Sequence, residues 1–382
     1  MELYVHIPFC RKKCRYCSFT SFIGKEEDIE SYIDLILKEA EIRRSEFVEQ
    51  VETVYFGGGT PSVLPPLTLA RLVEGLQKII DFSHVNEFTS EANPGTVTDE
   101  WLRTAVFSGI NRISFGMQAA QERLLQLLGR IHIQDDVRRS VCLARRAGIN
   151  NISLDLMFGI PTQSIQDWQE TLNAAIQLNP DHISAYGLIP ESGTPLVQDL
   201  ENGTLALPDP DLERDMYDLA IRLLFQAGLY QYEISSFSRK GYECRHNIGY
   251  WTQIPYVGLG ISAASMTNLR YSSNGMTYLR RSNPDTAEQY RQMIIHQCRS
   301  EEKEIISSTD SRFETMMLGL RMNKGVNEHE FFRKHHISVA QCYEDKLKDL
   351  ERNGLIVHEN GSWKLTRRGF DIQNSILVEL ME

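Results

Sequence analysis

Seven short runs rich in β-branched and aromatic residues recur over the first 234 positions of the chain, and segments of helical periodicity separate them. The runs cover residues 3–7, 51–56, 87–91, 112–115, 152–158, 182–188 and 230–234. Between the first two, Ile29, Ile33, Ile36 and Ala40 fall on one helical face. Between the second and third, Leu69, Leu72, Val73, Leu76 and Ile80 do the same. A strand that returns parallel to its predecessor needs a long crossover, so this alternation predicts right-handed βαβ units and a parallel sheet. The sheet could be open and doubly wound or curled into a barrel. The unusual residues decide between them: Cys10, Gly57, Gly58, Gly59, Glu91, Gln118, Asp155 and Pro190 all fall at or just past the C-terminal end of a run. Active sites of α/β barrels gather on that face, and no run is followed by the GxGxxG turn of a dinucleotide fold. The expected class is α/β, with a full or partial (β/α) barrel.

At 382 residues the chain exceeds what one ordinary core fills, so a second, smaller unit is expected. The texture changes near residue 300, which divides the chain into 1–300 and 301–382. In the second part, Val339, Cys342, Leu347 and Leu350 fit a helix that Gly354 would cap. Two short runs then flank Glu359-Asn360-Gly361, a hairpin signal. Helix followed by hairpin resembles a winged helix. Residues 301–382 hold 12 basic and 15 acidic side chains, and the whole chain has a net charge of −11, so nucleic acid is not the expected partner. No apolar run approaches the ~20 residues of a membrane span. The opening MELYVHIPFC lacks the basic-then-apolar pattern of a signal peptide, and the expected address is cytoplasmic.

Of seven cysteines, three stand close together as Cys10-Arg-Lys-Lys-Cys14-Arg-Tyr-Cys17, on a loop directly after the first run. Structural zinc wants four ligands and usually pairs two CxxC-type elements, and a reducing compartment disfavours a disulfide. Three thiolates can instead hold three irons of a [4Fe–4S] cubane and leave the fourth open to a small molecule. This CxxxCxxC loop resembles the hallmark of the radical S-adenosylmethionine (SAM) superfamily, which implies a partial, TIM-like barrel. The resemblance also implies that the open iron chelates SAM.

The rest of the chain resembles the anaerobic coproporphyrinogen III oxidase-like family over nearly its whole length, beginning at Tyr4-Val5-His6-Ile7-Pro8-Phe9-Cys10. By that resemblance Gly57-Gly58-Gly59-Thr60-Pro61 receives the methionine amino group, Glu91, Gln118 and Asp155 hold amino and ribose groups, and Arg130 faces the carboxylate. Tyr4 and Tyr16 would pack near the cluster and the sulfonium. His6 reads equally well as a hydrogen-bonding neighbour of the cluster or as core.

Four features sort the chain within that family. Oxidases continue the triad as CxxxCxxCxC, whereas Phe19 stands here, and they carry an N-terminal extension before the first cysteine. His246-Asn247-Ile248-Gly249-Tyr250-Trp251 matches the HNxxYW pattern of the HemW-type haem-chaperone branch, and the acidic tail resembles that branch's shorter C-terminal domain. The resemblance therefore implies a protein that binds haem and hands it to a respiratory or membrane-side acceptor. His246 would be the axial ligand, with Tyr250 and Trp251 on the porphyrin face and Cys244 as an alternative ligand. The competing reading of His246 is a structural histidine among core aromatics. The competing function is oxidative decarboxylation of coproporphyrinogen III. His335-His336, beside a run of charge, reads as a solvated pair.

Overall fold

The computed structural model describes residues 1–272, 275–297 and 302–381. Strand β1 (Glu2–Ile7) leads through the cysteine loop into α1 (Glu26–Ile42). There follow β2 (Thr53–Gly58), α2 (Pro66–Ile79), β3 (Glu87–Ala92), α3 (Asp99–Phe107) and β4 (Arg112–Gln118). The alternation continues with α4 (Glu122–Leu127), α5 (Gln134–Ala147), β5 (Asn151–Phe158), α6 (Ile165–Gln177), β6 (His182–Gly187), α7 (Pro195–Glu201) and α8 (Pro210–Gln226). The six strands lie side by side in chain order and pair in parallel. Parallel strands covered by helices are apolar on both faces, and β1 shows it: only Tyr4 is not fully buried. One continuous core joins Val5, Phe56, Ile113, Leu154 and Ile183 of the sheet to Ile33, Leu72, Leu102, Trp168 and Leu224 of the helices. Each such side chain contributes ~1.5–3 kcal/mol by leaving water.

The sheet extends at both ends. Beyond β6 the antiparallel strands β7 (Tyr230–Glu233) and β8 (Ser236–Ser238) add one edge. On the other side, after helix α9 (Arg245–Trp251), β9 (Tyr256–Leu259) pairs in parallel with β1. Then β10 (Ala264–Ser272) and β11 (Gly275–Ser282) run antiparallel, and after α10 (Ala287–Ile295) the strand β12 (Glu302–Ile306) completes the second edge. The strand order is linear, so the barrel is partial. The C-terminal ends of β1 to β6 face one cavity.

The remaining chain forms α11 (Ser308–Gly319), β13 (Val326–Asn327), α12 (Glu328–His335), α13 (Val339–Arg352), β14 (Ile356–Glu359), β15 (Ser362–Leu365), α14 (Arg367–Asp371) and α15 (Gln373–Met381). It has its own apolar core, in which Met316, Phe331, Leu347, Trp363 and Ile376 meet. Asn360 and Gly361 both take positive φ, 51° and 71°, the type I′ geometry that closes a two-residue hairpin. Gly354 follows α13 with φ 67°, as expected for a helix end. The result is a winged-helix-like α+β unit. Its segment 321–323 also pairs with the large sheet: Ile234 donates to the Arg321 carbonyl at 3.1 Å and Asn323 to the Tyr232 carbonyl at 3.0 Å.

The expected solvated pair at the end of α12 is corrected in one member. His335 is buried against Phe331, with Nε2 2.9 Å from Thr315 Oγ1. His336 is exposed and caps α12 in the left-handed conformation. The run of charge surrounds the second residue only, because α12 turns His335 inward.

Candidate functional site

The cysteine loop is tied down at several points. Phe22 donates to the Pro8 carbonyl at 2.8 Å and Cys10 to the Phe22 carbonyl at 3.0 Å, so the loop leaves and rejoins the barrel at one place. Phe9 packs edge-on against Phe22 and Tyr32 there. In its middle, Arg15 N–H donates to the Leu128 carbonyl and Leu196 N–H to the Arg15 carbonyl, both at 3.0 Å, while the Arg15 guanidinium pairs with Asp199. Gly129 is needed beside it, since a Cβ there would lie 2.9 Å from the Arg15 side chain. His6, left open by the sequence, fastens the loop from below. Nε2 lies 2.8 Å from the Thr20 carbonyl, an acceptor only, so Nε2 carries the proton and Nδ1 accepts from Tyr4 Oη at 3.0 Å.

Cys10, Cys14 and Cys17 line a single cavity of about 490 Å³ with Tyr16, Gly58, Gly59, Thr60, Glu91, Gln118, Arg130 and Asp155. That volume encloses a whole small organic ligand. Cys10 Sγ is 3.4 Å from Thr60 Oγ1, and Arg130 Nη1 donates to Cys14 Sγ at 3.5 Å. Burial raises the thiols of Cys10 and Cys17 above the usual range, a penalty that a bound cation reverses. Among the described residues no three His, Cys, Asp or Glu side chains converge on a single-ion site. A cubane is instead gripped at separate corners.

The glycines beside the triad answer to packing as well as to ligand access. A Cβ on Gly59 would lie 2.7 Å from the Ile7 carbonyl, and one on Gly58, at φ 103°, would strike His6. Only glycines let the β2 loop cross the end of β1, where Gly59 and Thr60 donate to the Ile7 and Phe9 carbonyls, each at 2.8 Å. Gly116 in β4 opens space in the same way, because a Cβ would meet Gln118 Nε2 at 2.9 Å and Arg130 Nη2 at 3.0 Å. Gln118 itself has φ 64°, at a register shift of the β4–β5 ladder. A non-glycine residue held there marks strain at a working position.

The polar lining combines both signs. Glu91 accepts from Tyr55 Oη at 2.9 Å and from Gly58 N–H at 3.2 Å, and burial together with nearby Asp155 pushes its carboxyl up to about 7. Asp155 accepts from Ser114 Oγ at 3.0 Å on each oxygen, and burial raises it as well. Arg130 donates to the Gly116 carbonyl at 2.8 Å, yet its Nε has no partner. Arg112 Nε and Asn93 Oδ1, also in the lining, are equally without partners. Buried donors and acceptors are normally satisfied. These three unpaired atoms are buried on residues of one lining, where the guanidinium groups of Arg112 and Arg130 and the carboxyl groups of Glu91 and Asp155 together suit a ligand with both a carboxylate and an ammonium group. The thiol loop, open on the same space, suits the cluster.

Sequence reading missed Arg112, Asn93, Tyr55, Ser114, Ser184 and Tyr186, all of which line the cavity. Arg112 left a signal, a charge at the head of an otherwise apolar strand, where charges are rare unless they serve a purpose. Of the expected residues, Gly57, Pro61, Cys244, Tyr250 and Trp251 are not in the lining, and neither are Tyr4 and His246. Tyr4 directs its hydroxyl to His6 and acts on the loop through it. His246 is 1% exposed, with Nδ1 2.7 Å from Thr53 Oγ1 and Nε2 2.9 Å from Tyr250 Oη.

His246 thus takes the arrangement of the competing reading, a structural histidine among core aromatics, with one ring nitrogen on Thr53 of β2 and the other on Tyr250 of α9. Glu87, at the start of β3, accepts from the N–H groups of Arg245 and His246 at 3.0 and 3.2 Å and from the Cys244 thiol at 3.5 Å. Tyr250 packs edge-on against Tyr256, and Arg321 stacks on Trp251 4.5 Å from the ring centroid. The motif therefore seats α9 as a plug against the N-terminal ends of β1 to β3. Of its residues only Asn247 reaches the cavity.

Comparison with known proteins agrees with this architecture. Residues 4–175 match the family model of the Radical SAM superfamily, and residues 306–372 match the HemN C-terminal domain. A heme chaperone HemW of Lactococcus lactis is 32% identical, over 99% of this chain and 96% of its own length. Another, from Bacillus subtilis, is also 32% identical, over 98% of this chain and 97% of its own. Among solved structures, the coproporphyrinogen III oxidase HemN of Escherichia coli superposes with a TM-score of 0.84. It covers 99% of this chain and 89% of that one at 22% identity, which speaks to the fold.

Proposed function

The chain belongs to the radical SAM superfamily and, within it, to the HemW family, and from that premise we propose that it is a haem chaperone. In this reading it binds haem, holds a [4Fe–4S] cluster on Cys10, Cys14 and Cys17 with SAM beside it, and delivers haem to an acceptor protein. One observation carries the reading. The triad opens on a cavity with unpaired polar groups, while the position two past Cys17 is an exposed Phe19 rather than a fourth cysteine.

The cluster, when bound, supplies an electron to the sulfonium of SAM. The chain's own residues do the holding. Arg130 offers Nε to the methionine carboxylate and keeps Nη1 on Cys14, so one guanidinium spans ligand and cluster loop. Glu91 takes the ammonium group, and Gln118 and Asp155 take the ribose, with Asp155 oriented by Ser114. The Tyr16 ring closes the cavity beside Arg130. We assign His246, Tyr250 and Trp251 to anchoring the plug. We place the working unit within residues 1–300 and give 301–382 the docking of the acceptor, a respiratory or membrane-side protein reached from the cytoplasm. Among the described residues no helix is long and apolar enough to cross a membrane.

The test is anaerobic reconstitution followed by haem titration at the Soret band. Saturable binding at one haem per chain is the expected result, and its absence overturns the reading. Release of carbon dioxide from coproporphyrinogen III by the same preparation would replace it with the oxidase.

A further inference from the structure

His246 is buried with both ring nitrogens bonded, to Thr53 of β2 and Tyr250 of α9, and the cavity mouth offers haem a more open seat. Two large apolar side chains stand out from its rim, Phe19 at 66% and Ile189 at 71% exposure. They come from different elements, Phe19 from the cysteine loop and Ile189 from the turn after β6. Leu188, Met157 and the half-exposed Tyr186 line the wall behind them. Single exposed apolar residues are ordinary, but two on different elements of one cavity's lining, backed by further apolar side chains, present an apolar mouth.

The charge around this mouth is equally selective. The cysteine loop carries four cations, of which three are engaged. Arg11 donates to the Gly95 carbonyl, Lys13 to the Phe19 and Ser21 carbonyls, and Arg15 pairs with Asp199. Lys12 lines the cavity with no partner among the described residues. The lining also holds Glu191, a carboxylate on the β6 side. An occupant with an apolar plane and carboxylates at one end fits in one orientation, plane between Phe19 and Ile189, acid groups toward Lys12 and away from Glu191. A porphyrin with two propionates has that chemistry.

We infer that the mouth of the cavity, formed by Phe19, Ile189 and Lys12, is the haem seat, and that it grips the macrocycle and its propionates rather than the iron. This rests on the haem-chaperone reading. Lys13 helps by fixing the Phe19 backbone at 3.3 Å. The seat shares its cavity with the SAM pocket, so haem would lie close to the cluster loop.

The experiment uses the full chain with its cluster reconstituted, so that the three thiolates are not available to bind haem. Haemin is titrated by its Soret band and iron-free protoporphyrin IX by its fluorescence, on the wild type, Ile189→Asp, Lys12→Glu and His246→Gln. The first two substitutions are on the surface, and an unchanged circular dichroism spectrum and urea midpoint check that they fold. Each is expected to weaken both porphyrins by about tenfold or more, the effect of losing one apolar or charged contact. His246→Gln, which keeps a donor and an acceptor, is expected to stay within about twofold in any preparation that retains SAM binding. Wild-type affinity in Ile189→Asp and Lys12→Glu overturns the seat, as does failure of the iron-free porphyrin to bind where haemin binds. A wild type that binds no haem removes the chaperone reading and the seat together.

Discussion

Glu91 stands between opposing demands: its role needs a carboxylate, while burial and Asp155 favour the acid, with a midpoint near 7. A ligand ammonium requires the ionised form, so SAM affinity should rise with pH through that midpoint. Between pH 6 and pH 8 we expect a gain of about tenfold by equilibrium binding, the fraction ionised setting the factor. Glu91→Gln should bind weakly and lose the dependence. Arg112, fully buried, pulls the Glu91 carboxyl down. Arg112→Met should therefore move the binding midpoint to higher pH, and an unmoved midpoint would show that the two side chains do not sense each other. That Glu91, Gln118, Arg130 and Asp155 line the cavity was legible because each stands in a short, distinctive phrase, within or at the end of a strand for three of them and just past α4 for Arg130. Arg112 and Asn93 were not, since what singles them out is the absence of a partner in three dimensions.

Helix α9 shows how one motif can serve two readings between which the sequence does not choose. Histidine, tyrosine and tryptophan in seven residues suit a porphyrin as well as they suit a plug, and the spacing does not reveal which face turns inward. The structure turns His246 onto Thr53 and leaves no room at Gly249, where a Cβ would fall 1.8 Å from the Glu2 carboxylate. His246→Ala removes two buried hydrogen bonds and opens a cavity, and should cost ~2–4 kcal/mol in denaturant unfolding. A loss under ~0.5 kcal/mol would contradict the anchoring role. Strands β1 to β6 were legible from alternation with helices, and the β14–β15 hairpin from its Asn-Gly pair. Strands β9 to β12 were not read. The pair Asn274-Gly275 is a signal that could have found β10 and β11, but the flanking runs are interrupted by polar residues and lack the apolar continuity of β1 to β6.

Among the described residues five buried histidines share one liability, His6 and His182 being lowered by burial along with the three whose values follow. Burial lowers His132 to about 4 and His246 and His335 to about 3, each against 6.5 in an unfolded chain. Below pH 6.5 the unfolded state takes up protons that the folded state refuses, so stability is full above that value and falls as pH drops toward 4. The limiting slope is about 1.4 kcal/mol per pH unit for each histidine. Urea midpoints measured from pH 7 to pH 4.5 should show the decline, and His335→Gln should make it shallower. A pH-independent midpoint would mean that other groups offset it.

The pairing of segment 321–323 with β7 has a consequence for how the chain behaves among its own copies. A barrel that does not close has two rims of unpaired backbone, and such rims recruit strands from neighbouring molecules. Here the chain downstream of α11 covers the β7 rim, and Tyr232, Glu233 and Ile234 at that rim are left without their guard when it is removed. A chain ending after Ile306 would keep every residue of the cavity, yet it should self-associate, with light scattering rising with concentration. The small unit is in that sense what keeps the large one solitary.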